Sequence, residues 1–327
     1  MIRRSYAAFI VVGAVACLNL PARPPGVVEF WGFTGPWDTR SHESVKANSE
    51  KLARVITGWI TLDSLSFRPV RLYHDASAID PALAGRTMAL ITTYEGSRFH
   101  PEIIRGLGGS EEAAALTAGA VAAMIDSAGY SGVVIDFEGM TARDLDALRR
   151  VTKAVADSVR AHGVTTIAIA VPAADTAAYP GALLLESADI IMPLLYDQHW
   201  SASPPGPIAS PEWVRRQLGV RVAEVGAERI VAALPLYGYR WRRSAETEVI
   251  GFEDARRLSI MTNTPLRRDL GSATLNASSP EGWEVWVSDR VLIETLVRDA
   301  RRLGVSTFAL WRLGLEDPSM WQALGGR

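Results

Sequence analysis

The sequence predicts a (β/α)8 barrel, also called a TIM barrel, from three observations. After residue 26, apolar segments rich in β-branched residues alternate with helical segments, which favours a parallel sheet. The apolar segments number eight, which is the strand count of this barrel. Each is nearly continuously apolar, as expected for a strand that is covered on both faces. The predicted strands are 27–34, 55–61, 88–93, 132–138, 166–172, 188–195, 229–236 and 305–311.

Boundary signals support the helices between these strands. Ser110 precedes a run rich in Glu and Ala that ends at Gly129, a pattern typical of an N-cap and a C-terminal glycine. Thr141 and Asp144 are spaced as a capping box, and the helix that they open ends at Gly163. Both helices therefore lie between predicted strands, as the barrel requires.

One connection is too long for a single strand–helix unit. Residues 239–290 contain a helical piece around 252–259 and a strand-like run at 283–288. We therefore predict a small α+β insertion before the last barrel strand, within a barrel domain that covers residues 27–327.

Composition restricts the class of protein. The 327 residues are 48% hydrophobic, which is enough for one large domain or two small ones with a sizeable core. The formal charge of −2 gives no indication of a nucleic-acid partner. The single cysteine, Cys17, excludes an internal disulfide framework.

The first 26 residues resemble an export signal followed by a linker. Arg3 and Arg4 precede an apolar stretch at 7–16, and Ala14-Val15-Ala16 fits the small-x-small cleavage pattern. Because Cys17 follows directly, a lipid-anchored protein is an alternative to simple cleavage or to retained anchoring. A periplasmic, cell-envelope or extracellular location is expected, and the N-terminus is a candidate membrane tether.

The fourth predicted strand ends in two carboxylates. Residues 131–139 read SGVVIDFEG, and side chains on a strand alternate between its faces. Val134, Asp136 and Glu138 therefore share one face. Two acids on that face are costly to bury unless they have partners or a catalytic role. Glycosidases use such a pair of carboxyl groups to cleave glycosidic bonds. The pattern indicates sugar chemistry at the mouth of a barrel.

Aromatic residues follow several other predicted strands. Chemistry in a TIM barrel takes place where the carboxyl ends of the strands meet, and aromatic faces stack on sugar rings. Any one of these aromatics is explained equally well by ordinary packing at the rim. Their arrival at one end of the barrel favours a sugar cleft. The segments concerned are 33–38, 196–200, 237–239 and 311–312.

These motifs together carry a resemblance to a known family. Residues 131–139 are similar to the D-G-x-D-x-D-x-E signature of glycoside hydrolase family 18, the chitinase-like family. Further segments resemble its branch of spore cortex-lytic N-acetylglucosaminidases and polysaccharide-synthase-attached barrel modules. Those segments are WGFTGPWD (31–38), MPLLYDQHWSASPPGPIASPEW (192–213), LPLYGYRW (234–241) and ALWRLGLEDPSMW (309–321). The resemblance covers about residues 27–325.

The resemblance implies a substrate-assisted mechanism, an exception to the scheme with two enzyme carboxylates. Glu138 would be the general acid, and the 2-acetamido oxygen of the substrate would be the nucleophile. Asp136 would orient the acetamide N–H and stabilise the oxazolinium intermediate. Tyr196 would hydrogen-bond the acetamide oxygen. Because the substrate supplies the nucleophile, no metal or organic cofactor is expected.

Six further residues are predicted to contact the substrate. By resemblance, Trp311 would form the floor under the sugar at the cleavage site, and Asp197 and Tyr237 would line the same subsite. The ends of the first and sixth strands add Trp37, His199 and Trp200.

The sequence departs from the family pattern at Ser131 and Val134, where the family usually has Asp. Val134 faces inward beneath Asp136, so Asp136 is expected to lack its usual polar partner. A slower enzyme is expected, and two alternatives stay open. One is a chitinase-like carbohydrate-binding barrel that is catalytically impaired, and the other is a membrane-tethered scaffold for a polysaccharide synthesis complex. In each case the expected ligand is an N-acetylated polysaccharide or oligosaccharide, and a monomer is expected.

Overall fold

The computed structural model describes residues 27–73 and 81–324. Residues 1–26, where the sequence predicts an export signal and Cys17 is the candidate for lipidation, lie outside the described residues. None of the helices in the described ranges combines the length and the apolar composition that a membrane span requires.

The strands of the described residues belong to one large sheet, one five-stranded sheet and one short hairpin. In chain order they are β1 (Glu29–Phe33), β2 (Leu52–Leu62), β3 (Pro69–Tyr73), β4 (Thr87–Thr92), β5 (Tyr94–Glu95), β6 (Arg98–Phe99), β7 (Gly132–Asp136), β8 (Thr166–Pro172), β9 (Ile190–Leu194), β10 (Ala232–Pro235), β11 (Gly238–Arg242), β12 (Ala245–Ile250), β13 (Arg267–Arg268), β14 (Leu275–Ser279), β15 (Trp283–Val287) and β16 (Thr307–Trp311).

The large sheet closes into a parallel barrel, which confirms the predicted fold. Its eight parallel strands follow the order β1, β2, β4, β7, β8, β9, β10 and β16, and β16 pairs again with β1. Each predicted strand overlaps one of these eight strands. The prediction succeeds because a strand covered on both faces must be apolar along its whole length.

Side chains from the strands fill the barrel interior. Trp31, Met88, Val134 and Ala309 are among its fully buried members, and Val134 lies opposite Leu90 of β4 in the strand register. The interior is therefore a packed core up to the level of Val134. Polar groups begin one step higher on β7, at Asp136.

Helices cover the outside of the barrel. The helices of the described residues, including α7 of the insertion, are α1 (Thr39–Asn48), α2 (Pro101–Gly108), α3 (Glu111–Ala128), α4 (Leu145–Ala161), α5 (Gly181–Leu184), α6 (Pro211–Val225), α7 (Phe252–Met261), α8 (Arg290–Arg302) and α9 (Met320–Ala323). The predicted helix boundaries are confirmed. The Ser110 hydroxyl accepts a hydrogen bond from the Ala113 N–H (3.2 Å), and Gly129 ends α3 with φ 70°. Thr141 and Asp144 form a capping box before α4.

The predicted α+β insertion precedes the last barrel strand. Its five-stranded antiparallel sheet has the order β12-β11-β15-β14-β13, and α7 packs on it over a small apolar cluster of its own. The predicted helical piece and the predicted strand correspond to α7 and β15.

Two elements beside the barrel mouth were not predicted. Strand β2 turns back as the antiparallel strand β3, and Arg71 on β3 donates hydrogen bonds to the Met124 carbonyl (2.7 Å) and the Ser127 hydroxyl (2.9 Å) of α3. The second element is the β5–β6 hairpin, which turns at Gly96 with φ 67°. Both elements supply walls for the cleft described next.

Candidate active site

A cleft of about 700 Å³ opens where the carboxyl ends of the barrel strands meet. This end is where the loops of a TIM barrel bring side chains from different strands together. Seven of the nine residues predicted from the sequence line the cleft. They are Trp37, Asp136, Glu138, Tyr196, Asp197, Tyr237 and Trp311.

The structure does not place His199 and Trp200 in the cleft lining. The chain turns away after Asp197, which has φ 57°. The His199 ring lies against Gly206, and its Nδ1 is 3.0 Å from the Pro204 carbonyl oxygen. Trp200 is half exposed outside the cleft. Sequence proximity to Asp197 suggested sugar contacts, but the His199 ring contacts its own loop and the Trp200 ring is half exposed.

Asp136 is the last residue of β7, and Thr92 lies opposite it in the register with β4. The Thr92 hydroxyl accepts a hydrogen bond from the Tyr94 N–H (3.1 Å). Its proton is therefore directed towards Asp136 Oδ2, at 3.4 Å, a long hydrogen bond. The neighbouring strand thus fixes one oxygen of the carboxyl group.

The other oxygen, Asp136 Oδ1, is buried and has no hydrogen-bond partner among the described residues. Val134, fully buried on the same face of β7, is the reason, since its methyl groups offer no donor where the family pattern has a carboxyl group. Burial raises the pKa of Asp136 to about 7, against the lowering effect of the Thr92 hydroxyl. The sequence-based expectation that Asp136 lacks a polar partner below is confirmed.

Glu138 lies two residues further, on the same side of the strand end. Burial raises the pKa of Glu138 well above its usual range, and the nearby carboxylates of Asp136 and Asp197 raise it further. Its carboxyl group makes no hydrogen bond within the described part of the chain. Both effects favour the protonated form of Glu138, which is the form that can donate a proton.

Three tyrosines surround the acids. The hydroxyl groups of Tyr237 and Tyr239 both donate to Asp197 Oδ1, the latter at 3.1 Å. Burial in the cleft raises the pKa of Asp197, and the lowering effect of these two hydrogen bonds offsets only part of that increase. Burial also raises the pKa of Tyr196 well above 10.0, so this residue stays a hydroxyl that can donate a hydrogen bond.

Aromatic rings form the floor of the cleft. Trp311 at the end of β16 stacks on Tyr196 with 6.4 Å between ring centroids and 15° between planes, and its ring is 5.2 Å from Phe33. Trp59 lies 6.0 Å from Trp311 and 5.0 Å from Trp37. Trp37 is 52% exposed, so one end of the cleft presents an indole to solvent. These rings suit the apolar faces of sugars.

Phe33, Tyr239 and Arg312 lie in the strand-end segments that the sequence assigns to the cleft. Sequence reasoning missed the other lining residues, which are Trp59, Leu72, Tyr73, Leu90, Thr92, Tyr94, Glu95, Gly96, Phe99, Ala170, Leu194, Val249 and Leu315. Thr92 had a usable signal, because it is a polar residue at the end of a predicted strand. Tyr73 and Tyr94 had none, because β3 and the hairpin were not predicted. In the ranges 27–73 and 81–324, no group of three or more His, Cys, Asp or Glu side chains is arranged to hold a metal ion.

Comparison with known proteins finds similar proteins, although no family model matches the chain. The putative sporulation-specific glycosylase YdhD of Bacillus subtilis (strain 168) is 26% identical over 266 residues, which are 76% of this chain and 63% of that protein. The chain thus spans less than two thirds of the length of this curated relative.

Solved structures share the fold. The spore cortex-lytic enzyme SleL of Bacillus megaterium QM B1551 aligns with a TM-score of 0.79 at 16% identity, over 93% of this chain and 75% of that one. A GH18 chitinase of Cycas revoluta in complex with (GlcNAc)3 aligns with a TM-score of 0.76 at 14% identity, over 90% and 98%. Together with the YdhD match, these findings confirm the resemblance to the chitinase-like family and its cortex-lytic branch.

The burial of Asp136 predicts a pH-dependent stability. The folded protein keeps the Asp136 proton up to about pH 7, whereas the unfolded chain releases it near 3.8. The folded state therefore binds more protons over this interval, and the wild type loses stability as the pH rises through it. An Asp136→Asn variant does not lose this stability, because its amide side chain does not ionise. We expect it to match the wild type at pH 4 and to exceed it by on the order of 2 to 4 kcal/mol at pH 8.

Urea unfolding of both proteins at pH 4 and pH 8 measures this difference. The control is Asp146→Asn, which changes an exposed carboxylate in the first turn of α4 and should leave the pH dependence as in the wild type. An Asp136→Asn variant whose stability relative to the wild type is the same at both pH values would show that Asp136 ionises normally in the folded state.

Proposed function

From the resemblance to glycoside hydrolase family 18, we propose that this chain hydrolyses a glycan that contains N-acetylglucosamine. The observation that carries the proposal is the position of Glu138, which lines an aromatic cleft together with Asp136 and whose pKa is raised by burial. A general acid must reach the glycosidic oxygen with a proton to give, and this arrangement supplies one.

The proposed reaction needs no enzyme nucleophile. Glu138 donates its proton to the glycosidic oxygen as the bond to the anomeric carbon breaks. The acetamido oxygen of the same sugar attacks that carbon from the opposite face and forms an oxazolinium ion. Water then opens this ring while the Glu138 carboxylate takes up a proton from it. Two inversions at one carbon give net retention.

The surroundings of the acid support this scheme. In this scheme Asp136, whose side chain lines the cleft with Glu138, accepts the acetamide N–H. A negative charge at Asp136 stabilises the positive ring that forms next to it. Tyr196, which keeps its hydroxyl proton, donates to the acetamide oxygen and holds it near the anomeric carbon. Trp311 lies beneath the sugar as a flat apolar surface.

The names of the similar proteins support an envelope glycan as the substrate. They include a sporulation-specific glycosylase, a spore cortex-lytic enzyme and a chitinase in complex with (GlcNAc)3. We therefore propose peptidoglycan, a chitin-like oligomer or an N-acetylated exopolysaccharide as the substrate. Export is part of the proposal, because such polymers lie outside the cytoplasm and residues 3–16 fit a signal sequence.

A second candidate function is glycan binding without useful turnover. It is favoured by one observation, the apolar contact that Val134 places beneath Asp136. An Asp136 with a pKa of about 7 is only partly ionised at neutral pH, which weakens the stabilisation of a positive intermediate. The cleft itself would remain able to bind the sugar.

Replacement of Glu138 separates hydrolysis from binding. We expect Glu138→Gln to lower the rate of glycan cleavage by about 10²- to 10⁴-fold, because the amide has no acidic proton to donate. Ligand affinity should change little, since the side chain keeps its size. The assay is mass spectrometry of products from N-acetylglucosamine oligomers, poly-N-acetylglucosamine and peptidoglycan. A Glu112→Gln variant in the exposed first turn of α3 is the matched control. Equal cleavage by Glu138→Gln and wild type would remove Glu138 from the mechanism.

Replacement of Val134 distinguishes the slow enzyme from the binding protein. We expect Val134→Asp to increase the cleavage rate by about tenfold, because a second carboxyl group can share a proton with Asp136 Oδ1. A carboxyl group at this buried position also costs stability, so thermal unfolding must first show that the variant is folded. Val134→Asn is the control of equal size without the acid. An unchanged rate in folded Val134→Asp, with glycan binding intact, would favour the binding protein.

A further inference from the structure

Arg312 is a basic side chain in an otherwise neutral or acidic cleft wall. It follows Trp311 at the end of β16 and is the single Lys or Arg among the described residues that line the cleft. Its side chain is only 13% exposed, although it carries a permanent charge. A guanidinium group that is largely shielded from solvent is costly to leave without partners.

Asp38 provides part of that pairing, but it is shared. Arg312 Nη1 lies 3.0 Å from Asp38 Oδ2, and Arg40 Nη2 lies at the same distance from this oxygen. Arg40 Nε also contacts Asp38 Oδ1 at 3.1 Å. Burial alone would raise the pKa of Asp38, but the hydrogen bonds from the two arginines lower it to about 2. One carboxylate therefore balances two guanidinium groups.

Arg40 has a second acidic partner on its outer side, away from Asp38. Its Nη1 lies 2.8 Å from Asp254 of α7, which also pairs with Arg257. Positive and negative side chains therefore alternate from the cleft to the surface, in the order Arg312, Asp38, Arg40, Asp254 and Arg257. Both ends of this charge chain are arginines. Arg312 is the end that faces the cleft, so its charge is only partly compensated.

Most hydrogen-bond donors of Arg312 are unused. The guanidinium group has five N–H donors, and in the described chain one hydrogen bond, to Asp38, is made. The group also lies over the Trp37 ring, 5.4 Å from its centroid. This contact holds the guanidinium plane beside the exposed aromatic surface at one end of the cleft. A sugar on Trp37 would place its substituents next to the unused donors.

Gly35 provides the space for this arrangement. A Cβ atom at position 35 would lie 2.6 Å from Arg312 Nη1 and 2.9 Å from Cζ. Any other residue at this position would displace the guanidinium group. The flexible arginine side chain can move without disturbing the backbone, so a substitution here changes the position of the charge and keeps its sign.

We infer that Arg312 recognises a carboxylate on the glycan, so that the cleft favours sugars with an acidic substituent such as the lactyl ether of N-acetylmuramic acid. The inference rests on the proposed function and names its substrate class. A carboxylate accepts two parallel N–H bonds from a guanidinium group, which a neutral hydroxyl or acetamide group does not. The raised pKa of Glu138 and the two hydrogen bonds that Asp197 accepts from Tyr237 and Tyr239 reduce the repulsion that such a ligand would meet.

The test compares binding of two tetrasaccharides by calorimetry, with Glu138→Gln as the common background to prevent turnover. One tetrasaccharide alternates N-acetylglucosamine with peptide-free N-acetylmuramic acid, and the other contains N-acetylglucosamine alone. We expect Arg312→Gln to weaken binding of the acidic ligand about tenfold and to change the neutral ligand less than twofold. Gly35→Ala should cause the same selective loss. Arg257→Gln at the outer end of the charge chain is the control and should change neither.

Reduction of the lactyl carboxylates to alcohols should abolish the preference of the background protein. Equal affinities for the acidic and neutral ligands, or equal losses for both in Arg312→Gln, would overturn the inference and leave the proposed hydrolase intact. Absence of binding to either ligand would remove the proposed function, and the inference would fall with it.

Discussion

The burial of two neighbouring carboxyl groups at the end of β7 is the constraint on which the site depends. The closed barrel covers this strand on both faces, and its interior is apolar up to Val134. Asp136 and Glu138 follow directly above this apolar core. Neither group has a basic partner among the described residues, and burial therefore favours their protonated forms. The surrounding tyrosines and tryptophans line the cleft without neutralising the acids. An acid that is held protonated in this way is what cleavage of a glycosidic bond requires.

The barrel could be predicted because its strands obey a simple rule. Each is buried on both faces and must be apolar along its length, and helix boundaries such as Ser110, Thr141 and Gly129 follow from local hydrogen bonds and backbone angles. Residues at the ends of strands, such as Asp136 and Trp311, inherit their position from the barrel.

The rest of the cleft depends on elements whose positions have no periodic signal. Strand β3 and the β5–β6 hairpin bring Tyr73 and Tyr94 to the mouth, and these elements are held by contacts with distant segments such as α3. His199 was predicted in the cleft from its place in a motif, but it does not line the cleft. The backbone turns at Asp197, and the His199 ring lies beside the Pro204 carbonyl group. Arg312 acquires its setting from Asp38 and Gly35, which are remote in sequence. Long-range packing of this kind is not encoded in local patterns.

The protonation state of Glu138 is the central claim, and it can be measured directly. Carbon-13 NMR of the side-chain carboxyl groups, with the Glu138 signal assigned by its absence in Glu138→Gln, gives the titration midpoint of this residue in the wild type. A midpoint well above the ordinary value of 4.5 is expected from burial beside Asp136 and Asp197. A midpoint at or below 4.5 would mean that Glu138 is ionised at neutral pH, and it would contradict its assignment as the general acid.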